Sequence, residues 1–375
     1  MRRWIVLIGI CLTAVCAPVG GPQPISLPPS PTVTARDTAS PSAGANTFTM
    51  PADRDMVTFA ADRGALIAFS SKDAPPPYES KIQRADPGTG AWRTIYTSDA
   101  MFLRGNVAAG RVAIAEYRQP AAPSAGAYSE EFTVVNLTTG AATTMDRFAM
   151  SAASFRGGGG GPRRPVGSIV LGPDRAAWTR LVEGPGGSVT GELRVALVAD
   201  PARATPIASS GEWIAPLAVD AHRLLYVIGG KTEDQLHIRD LDAGADKVVL
   251  TGAVGDQQRE GGIPGFNAAV LTGDWAVWLD TPRSGAGTFR AVNVISGVER
   301  SFEAGGSSCG VPSAGTRYVA WYCAANTGVV LDARTLEPAR DMPAIGVAPE
   351  ARDDGLIWLT VIANGRTVTL FRPRP

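Results

Sequence analysis

The side chains able to do chemistry are few and scattered along this chain. The stretch with most character is 155–165, Phe-Arg-Gly-Gly-Gly-Gly-Gly-Pro-Arg-Arg-Pro, which sets Arg156, Arg163 and Arg164 around five glycines. Guanidinium forks meet carboxylate or phosphate oxygens two at a time, so these arginines could wrap an anionic ligand. The plainer account is a surface loop that tolerates glycine. It is not a phosphate-binding loop, because its glycines neither follow a strand nor open a helix. The two histidines, His222 and His237, stand in no ligand-spaced motif, so no metal site is expected; His222 belongs on an exposed turn and His237 on a strand face. The acidic pairs Glu130-Glu131, Asp240 with Asp242, and Asp353-Asp354 fall at expected turns or strand ends, where solvation accounts for them. Glycoside hydrolysis needs two carboxylates facing one cleft, and spacing alone does not say which of these converge. No His-Glu-x-x-His pair occurs. No catalytic residue and no cofactor is assigned.

The elements that would have to position such groups are far more legible. At Leu271-Thr-Gly-Asp-Trp-Ala-Val-Trp-Leu-Asp280 a turn feeds an apolar run with an aromatic pivot, Trp278. Variants recur around Phe69, Ile114, Trp178, Tyr226, Trp321 and Trp358, which makes seven copies. A period of roughly 40 to 50 residues with several short strands in each points to propeller blades. Downstream of the pivot, a strand ends in Asp or Asn four residues before Gly: Asp86 and Gly90, Asn136 and Gly140, Asp240 and Gly244, Asn293 and Gly297. Asx side chains bond the backbone two residues on and glycine accepts positive φ, so these are hairpin turns. The tryptophans sit at one place in the repeat, inside apolar strands, and belong to packing between blades rather than to stacking platforms.

The expected fold is therefore all-β, a seven-bladed propeller of four-stranded antiparallel blades over residues 46–375. The last unit, 346–371, stops after its third strand, and 46–50 is the candidate to complete it and close the ring. The longest interval between pivots precedes Trp178, and its surplus belongs to loops at 117–129 and 155–165. Further long loops are expected at 72–80 and 255–265. The Val-Ala-Trp strand followed by an Asx-Gly turn resembles the TolB-like and WD40-like propeller repeats of bacterial envelope proteins. That resemblance implies a propeller that binds a partner or ligand at one face of its channel, and it carries no functional residue over.

Cys309 precedes one strand of the sixth unit and Cys323 ends the next, so a hairpin would set them side by side, and in an exported chain the pair reads as a disulfide. Export itself is read from residues 1–16. Two arginines precede an apolar run too short to cross a bilayer, which takes ~20 residues. Leu12-Thr-Ala-Val-Cys16 looks like a bacterial lipobox, which would make Cys16 the acylated first residue of a lipoprotein; an ordinary cleaved signal is the other reading, and both stay open. Residues 17–45, rich in Pro, Ser and Thr, cannot bury enough surface to order themselves and form a tether.

Charge narrows the partners. Lys plus Arg and Asp plus Glu are 35 each, so no global field recruits nucleic acid. The expected protein is an extracellular or cell-surface monomer, touching membrane only through an N-terminal lipid. It would act as a non-catalytic scaffold for a protein or peptide partner. The rival expectation is a hydrolase or lyase on carbohydrate or peptide, with acidic residues from several blades meeting at the channel.

Overall fold

Apolar runs broken by tight turns leave this chain no route except to fold back on itself, strand upon strand. The computed structural model describes residues 45–49, 56–62, 65–71, 78–118, 128–150, 168–253, 269–280, 288–303, 309–323, 327–339, 347–352, 355–362 and 365–371. They form seven antiparallel sheets. Blade one runs from Met56–Asp62 to Trp92–Ser98, blade two from Met101–Ala108 to Ala142–Met150, and blade three from Ser168–Leu171 to Thr205–Ser210. Blade four runs from Trp213–Val219 to Asp246–Ala253 and blade five from Val270–Thr272 to Glu299–Glu303. In blade six, Ser313–Ala314, Tyr318–Cys323 and Thr327–Asp332 form the sheet, and Pro338 bridges Leu331 at the fourth position. Blade seven holds Val347–Arg352, Gly355–Ile362 and Gly365–Phe371, and Ala45–Thr49 adds the outer strand. The first strands of successive blades touch, and that of blade seven meets that of blade one, so the seven sheets close into a ring. Fold class, blade number and closure by the N-terminal strand all agree with the repeat pattern.

Burial explains why each repeat is centred on an apolar run rather than an alternating one. A second strand, such as Ala65–Ser71, is buried along its whole length, because each blade is covered on both faces by its neighbours. Seven clusters of buried side chains result, and each joins two adjacent blades. Trp178, Tyr226, Trp278 and Trp321 each pack against the preceding blade. All four are fully buried. They are core, as their place in the repeat implies; the side chain of Trp358 lies outside the described residues.

The Asx turns set the spacing of third and fourth strands. In each, an Oδ1 accepts the N–H groups two and three residues on, at 2.9 and 2.7 Å for Asp86 and 2.9 and 3.0 Å for Asn136. Gly140 carries φ +75°, and a Cβ there would stand 2.7 Å from the carbonyl oxygen of Ile95 in blade one. A fifth copy escaped the pattern. Asp332 accepts from Arg334 and Thr335 at 2.9 and 3.0 Å, yet Leu336 holds the glycine position at φ 53°. A left-handed residue costs roughly 1–2 kcal/mol, while full burial of a leucine gains about 1.5–3. Leu336 is buried in the cluster around Trp321, so burial wins.

Cys309 and Cys323 form the disulfide expected of blade six. They are separated by 14 residues, a loop for which the chain-entropy estimate is about 3 kcal/mol. Without reductant, neither thiol should label with an alkylating agent even in denaturant, and Cys309→Ser should lower stability by roughly that amount. Labelling of both thiols would remove the bridge.

Candidate functional site

Strand direction assigns each connection to a face of the ring. Turns joining first to second and third to fourth strands lie on one face; second-to-third connections and links between blades lie on the other. The expected long loops at 72–80, 117–129, 155–165 and 255–265 all join strand ends of this second face. The structure describes only Tyr78 to Ser80 and the strand residues 117–118 and 128–129 of them; Arg156, Arg163 and Arg164, and likewise Cys16, lie outside the described residues.

At the second-face strand ends, between blades one and two, the structure gathers a polar network that the sequence reading missed. Glu116 stands in the second strand of blade two, Arg111–Arg118, and is 1% exposed. Its Oε1 accepts from Ser98 Oγ at 2.5 Å and Tyr96 OH at 3.2 Å, and its Oε2 from Thr133 Oγ1 at 2.6 Å. Glu131, directly across the ladder, accepts from Thr144 Oγ1 at 2.7 Å, Arg147 Nη2 at 2.8 Å and Arg118 Nη1 at 3.3 Å. Burial, with the Glu116 charge added, pushes the Tyr96 phenol up to about 12. The expectation that Glu130-Glu131 is a solvated pair is corrected: both are buried in Tyr128–Asn136. The legible signal was the charge in Val112-Ala-Ile-Ala-Glu-Tyr117, since a second strand is covered on both faces and any carboxylate there must be satisfied internally.

Both histidines lie in blade four, at the expected kinds of place. His237, on Glu233–Asp240, stacks on Tyr226 and shares Asp246 with it: Tyr226 OH donates to Asp246 Oδ2, and His237 Nδ1 lies 3.1 Å from Oδ1. His222, on the turn, lies 2.6 Å from Asp242 Oδ2, and Arg175 Nη2 of blade three donates to Asp242 Oδ1 at 3.2 Å. Asp240 is an exposed turn former, while Asp242 is engaged; Asp353 and Asp354 lie outside the described residues. Among the described residues no three His, Cys, Asp or Glu side chains are placed to hold a metal.

The hydrogen bond to Asp242 raises the His222 pKa, and His222 lowers that of Asp242. A raised histidine pKa adds stability below its unfolded value near 6.5 that is lost as pH rises through the folded value. A lowered aspartate pKa adds stability above 3.8 that is lost as pH falls through the folded value. The pair should therefore help most between those limits. Titrating His222 by NMR should give a pKa above 6.5 that returns toward it in Asp242→Asn; an unmoved value would refute the pairing.

No family model matches the chain, and no curated protein matches it in sequence. Solved structures do. An acylaminoacyl peptidase in complex with Z-Gly-Gly-Phe-chloromethyl ketone superposes with TM-score 0.53 at 9% identity, over 88% of this chain and 52% of that one. The β-propeller domain of the Trilobed protease from Pyrococcus furiosus does so with TM-score 0.50 at 9% identity, over 87% and 95%. This chain has the fold of the β-propellers. TolB from Acinetobacter baumannii is similar with TM-score 0.45 at 13% identity, over 83% of this propeller and 64% of TolB's length. The Pyrococcus furiosus propeller is described as having an open velcro topology, whereas this propeller joins Ala45–Thr49 to Gly365–Phe371 in a ladder.

Proposed function

We propose that the chain is an exported propeller of the bacterial envelope, a non-catalytic scaffold that holds a protein or peptide partner on the second face. The observation that carries this is the difference between the faces: the connections on the first are short, while the long ones between strand ends, 72–79, 119–127, 151–167 and 254–269, all leave the second. Loops held by a rigid body are where binding residues concentrate. Arg156, Arg163 and Arg164 fall in sequence between Ala142–Met150 and Ser168–Leu171, and guanidiniums there would suit acidic groups of the partner. Export is supported by the disulfide and by residues 1–16, with the residues between them and the strand Ala45–Thr49 as tether and Cys16 as the point of lipid attachment if the lipobox is processed. No helix among the described residues is long and apolar enough to cross a membrane.

Against the rival hydrolase or lyase, the buried carboxylates Glu116 and Glu131 are occupied by hydroxyl and guanidinium donors, which leaves them little with which to meet a substrate. The test is a pull-down from envelope extract with residues 46–375, bound species being identified by mass spectrometry. A specific protein whose capture falls with Arg163→Ala and Arg164→Ala together is the expected result. A co-purifying glycan or peptide that is turned over would replace the scaffold with the enzyme.

A further inference from the structure

Five of the six connections between third and fourth strands within the described residues are the Asx turn, and that of blade three is not. It runs through Asp200 and a short 3-10 turn, Pro201–Arg203, that packs against the outer strand of blade two. Between this connection and the Asx turn of blade four lies a cavity of about 250 Å³ on the turn face. Arg175, Arg203 and Arg239 line it, with Val195, Ile207 and Leu241 as an apolar wall.

Comparison along the repeat shows what is unusual about Arg175. The first residue of the second strand is arginine in blades two, three and four, and it reaches toward the next blade. Arg111 Nη1 donates to Pro173 O at 3.2 Å. Arg223 spends its fork fully, with Nε on Asp220 at 2.9 Å, Nη1 on Asp274 at 2.7 Å and Nη2 on the Gly273 carbonyl at 3.1 Å. Arg175 makes one such bond, to Asp242, and its Nε is buried without an acceptor among the described residues. A buried donor left unmet is costly. Arg203 and Arg239 likewise use one nitrogen each, on Asp200 at 3.2 Å and on Asp246 at 3.6 Å. Each guanidinium has five N–H donors, so all three keep donors for a ligand. Of the charged groups that line the cavity, three are cationic and only Asp200 is anionic; Asp242 and Asp246 hold their arginines from outside the lining.

We propose that this cavity binds a carboxylate carried on a short aliphatic body, the carboxylate meeting Arg175 and Arg203, and the hydrocarbon lying against Val195, Ile207 and Leu241. Planar forks match carboxylate oxygens, and the apolar wall favours hydrocarbon over a bare inorganic anion. Two sources carry this chemistry: a free short-chain organic acid and the C-terminus of a peptide. The site is on the face opposite the one assigned to the partner, and it stands whether or not that assignment does.

Calorimetric titration of the full chain with hexanoate, with a leucine-ended hexapeptide as free acid and as C-terminal amide, and with inorganic phosphate tests this. Hexanoate alone binding would identify a free acid as the ligand, and the peptide acid binding as well would identify a chain terminus. Where the peptide acid binds, its amide should bind at least about tenfold more weakly, as loss of a charge-assisted fork implies. Arg203→Ala, whose side chain is 88% exposed, and Arg175→Gln should each weaken the acid about tenfold, with the Arg203→Ala thermal midpoint unchanged. Absence of heat from both carboxylates at about 10 mM, a peptide amide that binds as well as a binding peptide acid, phosphate matching hexanoate, or Arg203→Ala binding like the parent would each overturn the proposal.

Discussion

Replacing Phe48 by alanine should lower the stability of the folded chain by about 3–5 kcal/mol, the usual cost of emptying a buried phenylalanine site. The residue lies in a five-residue strand far from the rest of the sheet in sequence, so an effect of this size is not what its position in the chain suggests. It follows from the seam. Phe48 is 2% exposed and opposes Val368 in the ladder between Ala45–Thr49 and Gly365–Phe371. Its cluster takes Ile357, Val368 and Leu370 from blade seven and Ala61, Leu66 and Ala85 from blade one. Trp92 of blade one lies beside it, ring centres 6.3 Å apart, and donates its Nε1–H to Thr49 O at 2.7 Å. One side chain therefore completes a blade and fastens the two ends of the ring. Beginning the chain after Thr49 should do more, because it leaves Gly365–Phe371 as an open edge prone to pairing with other chains. Urea denaturation of the chain gives the first quantity, and light scattering of the shortened chain the second. A loss under about 1 kcal/mol for Phe48→Ala would mean the seam is held elsewhere.

The fold was legible because its repeats obey local rules. A strand ending in Asp or Asn with glycine four residues on has one comfortable conformation, and four of the five Asx turns announced themselves that way. The fifth was hidden because Leu336 trades glycine's freedom for burial, a tertiary effect that no local pattern contains. Closure could be inferred from arithmetic, since a unit short of one strand at the end implies one spare at the beginning. The polar sites were much less legible. Glu130-Glu131 looks like a solvated pair until the strand that holds it is known to be sandwiched between blades. Arg175 looks like Arg111 and Arg223, and what separates it, a buried Nε with no acceptor among the described residues, is set by the neighbouring blades. Convergence of side chains from different blades depends on ring geometry, and spacing along the chain does not encode it.

Glu116→Ala should cost about 3 kcal/mol or more, and the reason bears on whether this propeller is an enzyme. The substitution strands Tyr96 OH, Ser98 Oγ and Thr133 Oγ1, all of which donate to the lost carboxylate, and removes an anion 3.7 Å from Arg118 Nη2. Removing one partner from a buried charged network leaves the rest desolvated and unmet, which is where losses of this size arise. Glu116→Gln keeps the shape, and the hydroxyls can reorient toward an amide, so its cost should be about 1 kcal/mol. The same variant separates charge from burial at Tyr96. Burial is the larger cause of its pKa near 12 and the Glu116 charge the next, so in Glu116→Gln the phenol should titrate lower but still above its ordinary value of 10.0. Because the folded pKa is the higher, the unvaried network is intact below pH 10 and loses stability as pH climbs toward 12. Ultraviolet titration reads the tyrosine, and chemical denaturation reads the fold. A catalytic acid would behave otherwise: its replacement by glutamine would abolish turnover while leaving stability and the Tyr96 titration nearly unchanged. A Tyr96 pKa that stays near 12 in Glu116→Gln, with a stability cost below about 0.5 kcal/mol, would take Glu116 out of the structural network and return it to the search for chemistry.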